Sequence, residues 1–165
     1  MQNPPGSYPP PQQGYTPGGF PPSGGYPGGP PPTGKTQTLG LDYNIASGLC
    51  YLPVCLIHLI APILWIATEP KTNKLVRLHA FQSLFGYGLV IAVFIVGWII
   101  GAVIMGVAGA ADVAILGLLG FGVIALTYII AFCLGAFIVI MGLIKGFGGQ
   151  YWKFPIIGNL AEKFA

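Results

Sequence analysis

The chain has 165 residues, of which 54% are hydrophobic and only 7% are charged. A soluble domain carries about 25% Asp, Glu, Lys and Arg. Seven basic and four acidic residues are too few to cover the surface of a water-soluble globule of this length. The composition argues strongly against a soluble enzyme, and it predicts a small all-α integral membrane protein with about three transmembrane helices.

The N-terminal part of the chain is dominated by proline and glycine. Residues 1–34 contain 12 Pro and 9 Gly and no charged side chain, so they cannot form a helix interior or a sheet ladder. We expect residues 1–38 to be a disordered, partly polyproline-like tail and residues 39–165 to be the helical membrane domain. The aromatic residues in the tail leave two interpretations open, a plain spacer or an arm that binds a proline-recognising partner or itself.

Residues 45–68 form the first long run of apolar residues. At about 1.5 Å per residue they extend about 36 Å, which is enough to cross a hydrocarbon core of about 30 Å with some tilt. Because Pro53 and Pro62 lie inside the run, we expect a kinked spanning helix that stops at the Glu69–Pro70 pair. One alternative is a short interfacial helix that ends near Leu52 and is followed by a short span. Another is a re-entrant pair of short helices, which enters and leaves on one side of the membrane.

The second span is predicted over residues 78–106. Small and hydrogen-bonding side chains share one face of this helix, as close helix contacts in lipid require. We therefore predict that this face packs against protein, and it is our candidate site for helix packing or partner binding. With the arginine that precedes it, the site comprises Arg77, His79, Gln82, Ser83, Gly86, Gly97 and Gly101.

The third span is predicted over residues 113–144. Asp112 directly precedes it, and we expect its carboxylate to cap the helix by accepting backbone N–H bonds; a proton-relay carboxylate is the alternative. Residues 156–165 place their apolar side chains on one face of a short amphipathic helix. This helix is predicted to lie along the membrane interface.

The basic residues predict the orientation in a cell membrane. With three spans, the 69–80 loop and the C-terminal segment share a side that holds six of the seven basic residues. The positive-inside rule places this side in the cytoplasm and the tail outside, whereas the re-entrant alternative moves the tail inside. We expect contacts with lipid headgroups from this side, and we expect Arg77 to reach the headgroups as well. The candidate residues are Lys71, Lys74, Lys145, Trp152 and Lys153.

No pattern in the sequence indicates catalysis or a bound cofactor. Cys50, Cys55 and His58 are close in sequence, but they lack the spacing of metal ligands. No nucleophile–base pair, carboxylate pair or phosphate-binding loop is visible. We therefore expect no enzyme activity, cofactor or metal, and the scattered basic residues argue against binding of nucleic acid.

One segment carries a family resemblance. Residues 76–83 read VRLHAFQS, which resembles the VRFHAxQS signature of a family of small multi-pass membrane proteins of unknown function in bacteria and archaea. Residues 44–52 and 154–159 also resemble this family, so the likeness covers about residues 40–165. The family is similar, more distantly, to the twenty-kilodalton channel-type subunit of the chloroplast inner-envelope import translocon. The resemblance implies a bacterial or archaeal membrane protein and, more distantly, a protein-conducting role.

Two functions are consistent with these observations. The first is a non-enzymatic accessory or scaffold subunit, which assembles in the bilayer with itself or with other membrane proteins through the stripe from His79 to Gly101. The alternative is a translocation or channel component. Because the predicted spans carry few polar side chains, such a pore would require several copies of the chain.

Overall fold

A computed structural model describes residues 32–54 and 56–165. The described part is helical, and its β structure is limited to an isolated bridge between Lys35 and Asp42. The predicted all-α class is therefore confirmed for these residues, while most of the predicted tail, 1–38, lies outside them. The helices are α1 (Tyr43–Leu49), α2 (Ile57–Thr68), α3 (Lys74–Ala111), α4 (Ala114–Phe147) and α5 (Ile157–Phe164).

The two long helices α3 and α4 form an antiparallel hairpin. With 38 and 34 residues, they extend about 57 and 51 Å at 1.5 Å per residue, and both are apolar enough to cross a membrane. Asp112 ends α3 in a left-handed conformation with φ of 53°, and the N–H of Val113 donates to Ala108 O at 3.0 Å. The predicted cap of α4 is therefore wrong, because Asp112 terminates α3 and Val113 precedes α4 without a side-chain cap bond.

The small residues of α3 lie against α4. A Cβ atom at Gly97 would collide with the side chain of Thr127, and one at Gly101 would lie 2.9 Å from the carbonyl oxygen of Gly120. Such close approach of two helix backbones is the usual reason for glycine in membrane helix contacts. The face that we predicted to contact protein therefore packs within the chain itself.

Two helices of the described chain, and not the predicted three, are long enough to cross a membrane. The prediction of one kinked helix over residues 45–68 is wrong, because the chain leaves the helical conformation between α1 and α2. Proline at position 53 has no N–H to continue α1. The backbone of α1 at Gly48 contacts α4 at Gly146, and α2 then returns, so that Ile66 O meets the first turns of α3. The structure thus shows the alternative of two short helices.

The C-terminal segment follows a similar path along α3. The carbonyl oxygens of Gln150 and Trp152 accept hydrogen bonds from successive turns of α3. After a turn, α5 returns along α3 towards its first turns. The ring centroid of Phe164 lies 5.8 Å from that of Phe81. The predicted amphipathic segment is helical, but part of its apolar face, including the buried Ile157, packs on α3.

The packing divides the molecule into two parts of different thickness. We call residues 32–87 and 137–165 the base, and residues 88–136 the arm. The base contains a core built around Trp65 and Tyr51, whereas in α3 beyond residue 86 only Gly101 and Ala108 are buried. Because the arm is a bare pair of apolar helices with exposed Ile, Leu, Val and Phe side chains, it is suited to a lipid environment.

We predict that glycine is required where α4 crosses α3. A Cβ at Gly120 would lie 2.9 Å from Gly101 O and 3.0 Å from the backbone nitrogen of Met105, whereas Gly122 has nothing within 4 Å. Gly120→Ala should lower the free energy of unfolding by about 1–3 kcal/mol through overpacking. Thermal unfolding in detergent measures the change.

The matched control is Gly122→Ala, which should leave stability unchanged or raise it by up to about 1 kcal/mol, because alanine favours the helix. Equal stability of the two variants would contradict the packing that we describe.

Candidate functional site: a buried polar cluster at the start of α3

The base encloses five polar side chains around the first turns of α3. They are buried, and most of their hydrogen bonds go to the backbone of other segments. We call this set the polar cluster. It consists of Glu69, Asn73, Arg77, His79 and Gln82.

Arg77 connects the ends of two helices to α3. Its Nη1 donates to Ile66 O at 2.8 Å and to Glu69 O at 3.1 Å. Its Nη2 donates to Phe164 O, and its Nε to Ala165 O, both at 3.2 Å. These oxygens belong to the C-terminal ends of α2 and α5, where carbonyl groups lack helix partners and the helix dipole is negative. Arg77 is therefore a buried anchor, and the prediction that it reaches lipid headgroups is wrong.

Glu69 links the segment before α1 to the start of α3. Its Oε1 accepts from the backbone N–H of Gln37 at 2.9 Å, and its Oε2 accepts from Asn73 Nδ2 at 2.7 Å. Asn73 in turn accepts from the N–H of Val76 at 3.5 Å, and so caps α3. The buried carboxylate is thus satisfied by neutral donors, and it fixes the point at which the long helix begins.

His79 joins three parts of the base. Its Nε2 lies 2.9 Å from Gln150 O, and its Nδ1 lies 3.2 Å from the hydroxyl oxygen of Tyr51. Because a carbonyl oxygen only accepts, Nε2 carries the proton, and in the neutral ring Nδ1 accepts from the tyrosine. The Tyr51 ring packs against α4, where a Cβ at Gly142 would collide with it. The histidine therefore couples α3, α4 and the C-terminal segment.

Gln82 and Ser83 complete the polar face of α3. Gln82 Nε2 donates to Trp152 O at 3.1 Å, whereas its Oε1 has no partner among the described residues. Ser83 Oγ donates to Ala80 O of its own helix at 2.9 Å. Residues 150–152 have no neighbouring strand, so Gln82 and His79 supply the donors for the carbonyl groups of Trp152 and Gln150.

The structure brings together part of the predicted site and adds residues to it. Arg77, His79 and Gln82 act in the polar cluster, while the predicted glycines contact α4. The sequence analysis missed Glu69, which it treated only as the end of a helix, and Tyr51, which it treated as apolar. A polar residue beside Pro70 and a tyrosine hydroxyl in a hydrophobic run were the available signals.

The predicted headgroup residues all lie on the base. Lys71 and Lys74 are exposed, and Lys145 donates to Gln150 Oε1 at 2.9 Å. Lys153 forms an ion pair with Glu162 at 3.0 Å, and its hydrogen bond lowers the pKa of that carboxyl. The ring of Trp152 packs on Phe154, with centroids 4.6 Å apart. Headgroup contact from these residues stays a prediction.

Two of the small nucleophilic side chains, Cys50 and Thr127, donate to the backbone of their own helical segments. Cys50 Sγ donates to Ala46 O at 3.4 Å, and Thr127 Oγ1 donates to Val123 O at 2.8 Å. In the part of the chain that the structure describes, no group of three His, Cys, Asp or Glu side chains could hold a metal ion. The observed hydrogen bonds of the polar cluster go mainly to backbone groups.

Comparison with known proteins identifies relatives in the archaeon Methanocaldococcus jannaschii. One protein named UPF0132 membrane protein is 30% identical over 139 residues, which are 80% of this chain and 96% of the relative. The chain belongs to the UPF0132 membrane protein family. A second UPF0132 membrane protein of the same organism is 26% identical over 137 residues, which are 79% of this chain and 75% of the relative. No family model and no solved structure matches.

Membership of the UPF0132 family agrees with the apolar helices of the arm, and together they make the chain a membrane protein. The names of the relatives support the resemblance to a membrane protein family, and both relatives are archaeal. Neither name mentions the chloroplast translocon or an activity.

We predict that the fork-shaped guanidinium of Arg77 is required for the fold of this UPF0132 protein. Arg77→Lys cannot reach carbonyl oxygens on two helices at once, so the free energy of unfolding should fall by about 2–3 kcal/mol. Limited proteolysis should cut the C-terminal segment faster, because α5 loses its anchor.

The control is Lys74→Gln, one turn earlier on the same helix at an exposed position. It should change stability by less than about 0.5 kcal/mol. If both variants resist protease as the wild type does, Arg77 is not the anchor of α5.

Proposed function

We propose that this UPF0132 protein is a non-enzymatic accessory or scaffold subunit of a membrane assembly. The observation that carries the proposal is the set of groups to which the polar cluster donates hydrogen bonds. Arg77, His79 and Gln82 donate to backbone carbonyl groups of α2 and of the C-terminal segment. Their role is therefore to hold these segments beside α3 in the membrane. A channel role has less support, because between residues 88 and 136 the polar side chains are few, and Thr127 donates to its own helix.

The surface for assembly in this proposal lies on the outer face of α3. The predicted stripe through Gly97 and Gly101 is occupied by α4, but a second row of residues alternates in steps of four and three along the exposed side of the arm. Small residues at both ends of this row would allow close approach of another helix. The row comprises Gly88, Ala92, Ile95, Ile99, Ala102, Gly106 and Gly109, all exposed.

Crosslinking in native membranes, followed by mass spectrometry, tests this assembly. The wild type should give crosslinked complexes with itself or with other membrane proteins. Ala102→Leu combined with Gly106→Leu should reduce them several-fold, because the larger side chains keep a partner helix away.

The control places the same side chain on a different face of α3. Val103→Leu combined with Val107→Leu, at two exposed positions, should leave the complexes unchanged. A wild-type chain that stays monomeric in native membranes would exclude the scaffold role, and equal crosslinking of the two double variants would exclude this face.

We further propose that the base faces the cytoplasm. The re-entrant path of residues 43–68 brings Lys35 to the same end of the hairpin as the other basic residues, because Asn44 donates to Phe147 O at the end of α4. All seven Lys and Arg residues then lie on one side, whereas the opposite turn contains only the acidic Asp112. By the positive-inside rule the tail, the 69–80 loop and the C-terminus are cytoplasmic.

Reporter fusions test this orientation. Fusions at the N-terminus and at the C-terminus should both report the cytoplasm, and a fusion inserted after Asp112 should report the opposite compartment. The control is a fusion after Thr72, in the 69–80 loop. Termini in different compartments would restore the three-span arrangement and contradict the two-span hairpin.

A further inference from the structure

The base and the arm differ strongly in cross-section. At the level of Gly101, α3 packs against α4, and no other described segment packs on it there. At the level of Gln82, four further segments pack around α3, and the first of them also packs against α4. They are the end of α1 with Tyr51, α2, the extended residues 150–154 and α5.

Both inserted segments turn back at the same depth. The first tip includes Val54 and Leu56, and the ring centroid of His58 just after it lies 4.8 Å from that of Tyr87. The second tip is residues 155–156, and the side chain after it lies against Gly86. Positions 86 and 87 are adjacent on α3, so the two tips stop at one level, where the base ends and the arm begins.

The tips present apolar side chains to their surroundings. Leu56 is 63% exposed, and Ile156 is 86% exposed. Ile156 has φ of 72° and ψ of −64°, and the N–H of Ile157 donates to Pro155 O at 2.9 Å. A γ-turn of this kind at a β-branched residue stores about 1–3 kcal/mol of strain. The fold therefore holds an isoleucine outward at the tip against a local preference.

The length of the arm sets the depth of the tips. Residues 88–111 extend about 36 Å, slightly more than a hydrocarbon core of about 30 Å. An arm that crosses the core places the tips at its edge, beneath the headgroups of the leaflet on the side of the base. The base thus occupies the headgroup region of one leaflet, while the headgroups of the other leaflet meet only the turn between two helices.

We propose that the molecule is a wedge in the bilayer and that it senses membrane curvature. A body that is wide in one leaflet and thin in the other fits best where the leaflet around its wide end is the convex one. Shallow apolar insertion into a single leaflet is sensitive to curvature in the same way. The inference rests on the membrane placement proposed above, and it adds a preference for highly curved membranes.

The test measures sorting between flat and curved membrane. The full chain, labelled at its N-terminal tail, is reconstituted in both orientations into giant vesicles of neutral phosphatidylcholine, and a thin tube is pulled outward from each vesicle. Molecules with the base outward should be enriched several-fold on the tube. Molecules with the base inward, seen after an external impermeant quencher, should be depleted. Neutral lipid removes attraction between the basic residues and anionic headgroups.

The test depends on opposite changes in protein density on the tube for the two orientations. Equal density on tube and vesicle, or the same change in both orientations, would overturn the curvature inference while leaving the membrane placement intact. Extraction of the protein by alkaline carbonate would instead overturn the placement itself.

Tip variants provide a second measurement. Leu56→Asp combined with Ile156→Asp places charges at the exposed tips, so the tips should leave the edge of the hydrocarbon core. The ratio of protein density on the tube to that on the vesicle should then fall towards one. The matched control, Leu56→Ile with Ile156→Leu, should keep the enrichment. Full sorting by the charged variant would contradict a role for the tips, and circular dichroism confirms that both variants are helical.

Discussion

A carbonyl group that is buried away from water needs a hydrogen-bond donor, and the base of this protein is arranged around that requirement. Two segments enter beside α3 and turn back, and each brings backbone oxygens that no helix or strand satisfies. Three side chains from the first turns of α3 supply the donors: Arg77, His79 and Gln82. Without them, the carbonyl oxygens at the ends of α2 and α5 and at residues 150 and 152 would lose these donors.

This requirement also explains why α3 is longer than an upright span needs. Its first turns lie in the base and have two different faces. One face donates hydrogen bonds to the backbone of the short segments, and the other packs the rings of Phe81 and Phe85 against Phe164. The same helix then becomes uniformly apolar. A single element thus serves as scaffold for the base and as one half of the arm, and the asymmetry of the molecule follows from that division.

The sequence predicted the helical class and the apolar runs that form the arm, because these are local signals. Glycine spacing is local too, and it predicted that the face with Gly97 and Gly101 contacts protein. The sequence did not predict how residues 45–68 fold. The same sequence around Pro53 is compatible with a kinked helix and with a turn between two helices, and the packing partners of the segment decide between them. Arg77 was assigned to headgroups because all its acceptors are backbone oxygens, and two of them belong to residues more than eighty positions away. Contacts to backbone leave no pattern of side chains to recognise.

In the membrane placement that we propose, the turn at Asp112 and Val113 leaves almost nothing outside the bilayer at the far end of the arm. Two residues separate α3 from α4, so that compartment meets neither a loop that could be cleaved or glycosylated nor a surface that a water-soluble molecule could grasp. In this placement, contacts with the protein would come from the lipid, from another membrane helix or from the side that carries the base. In that sense the protein is addressed from one compartment alone.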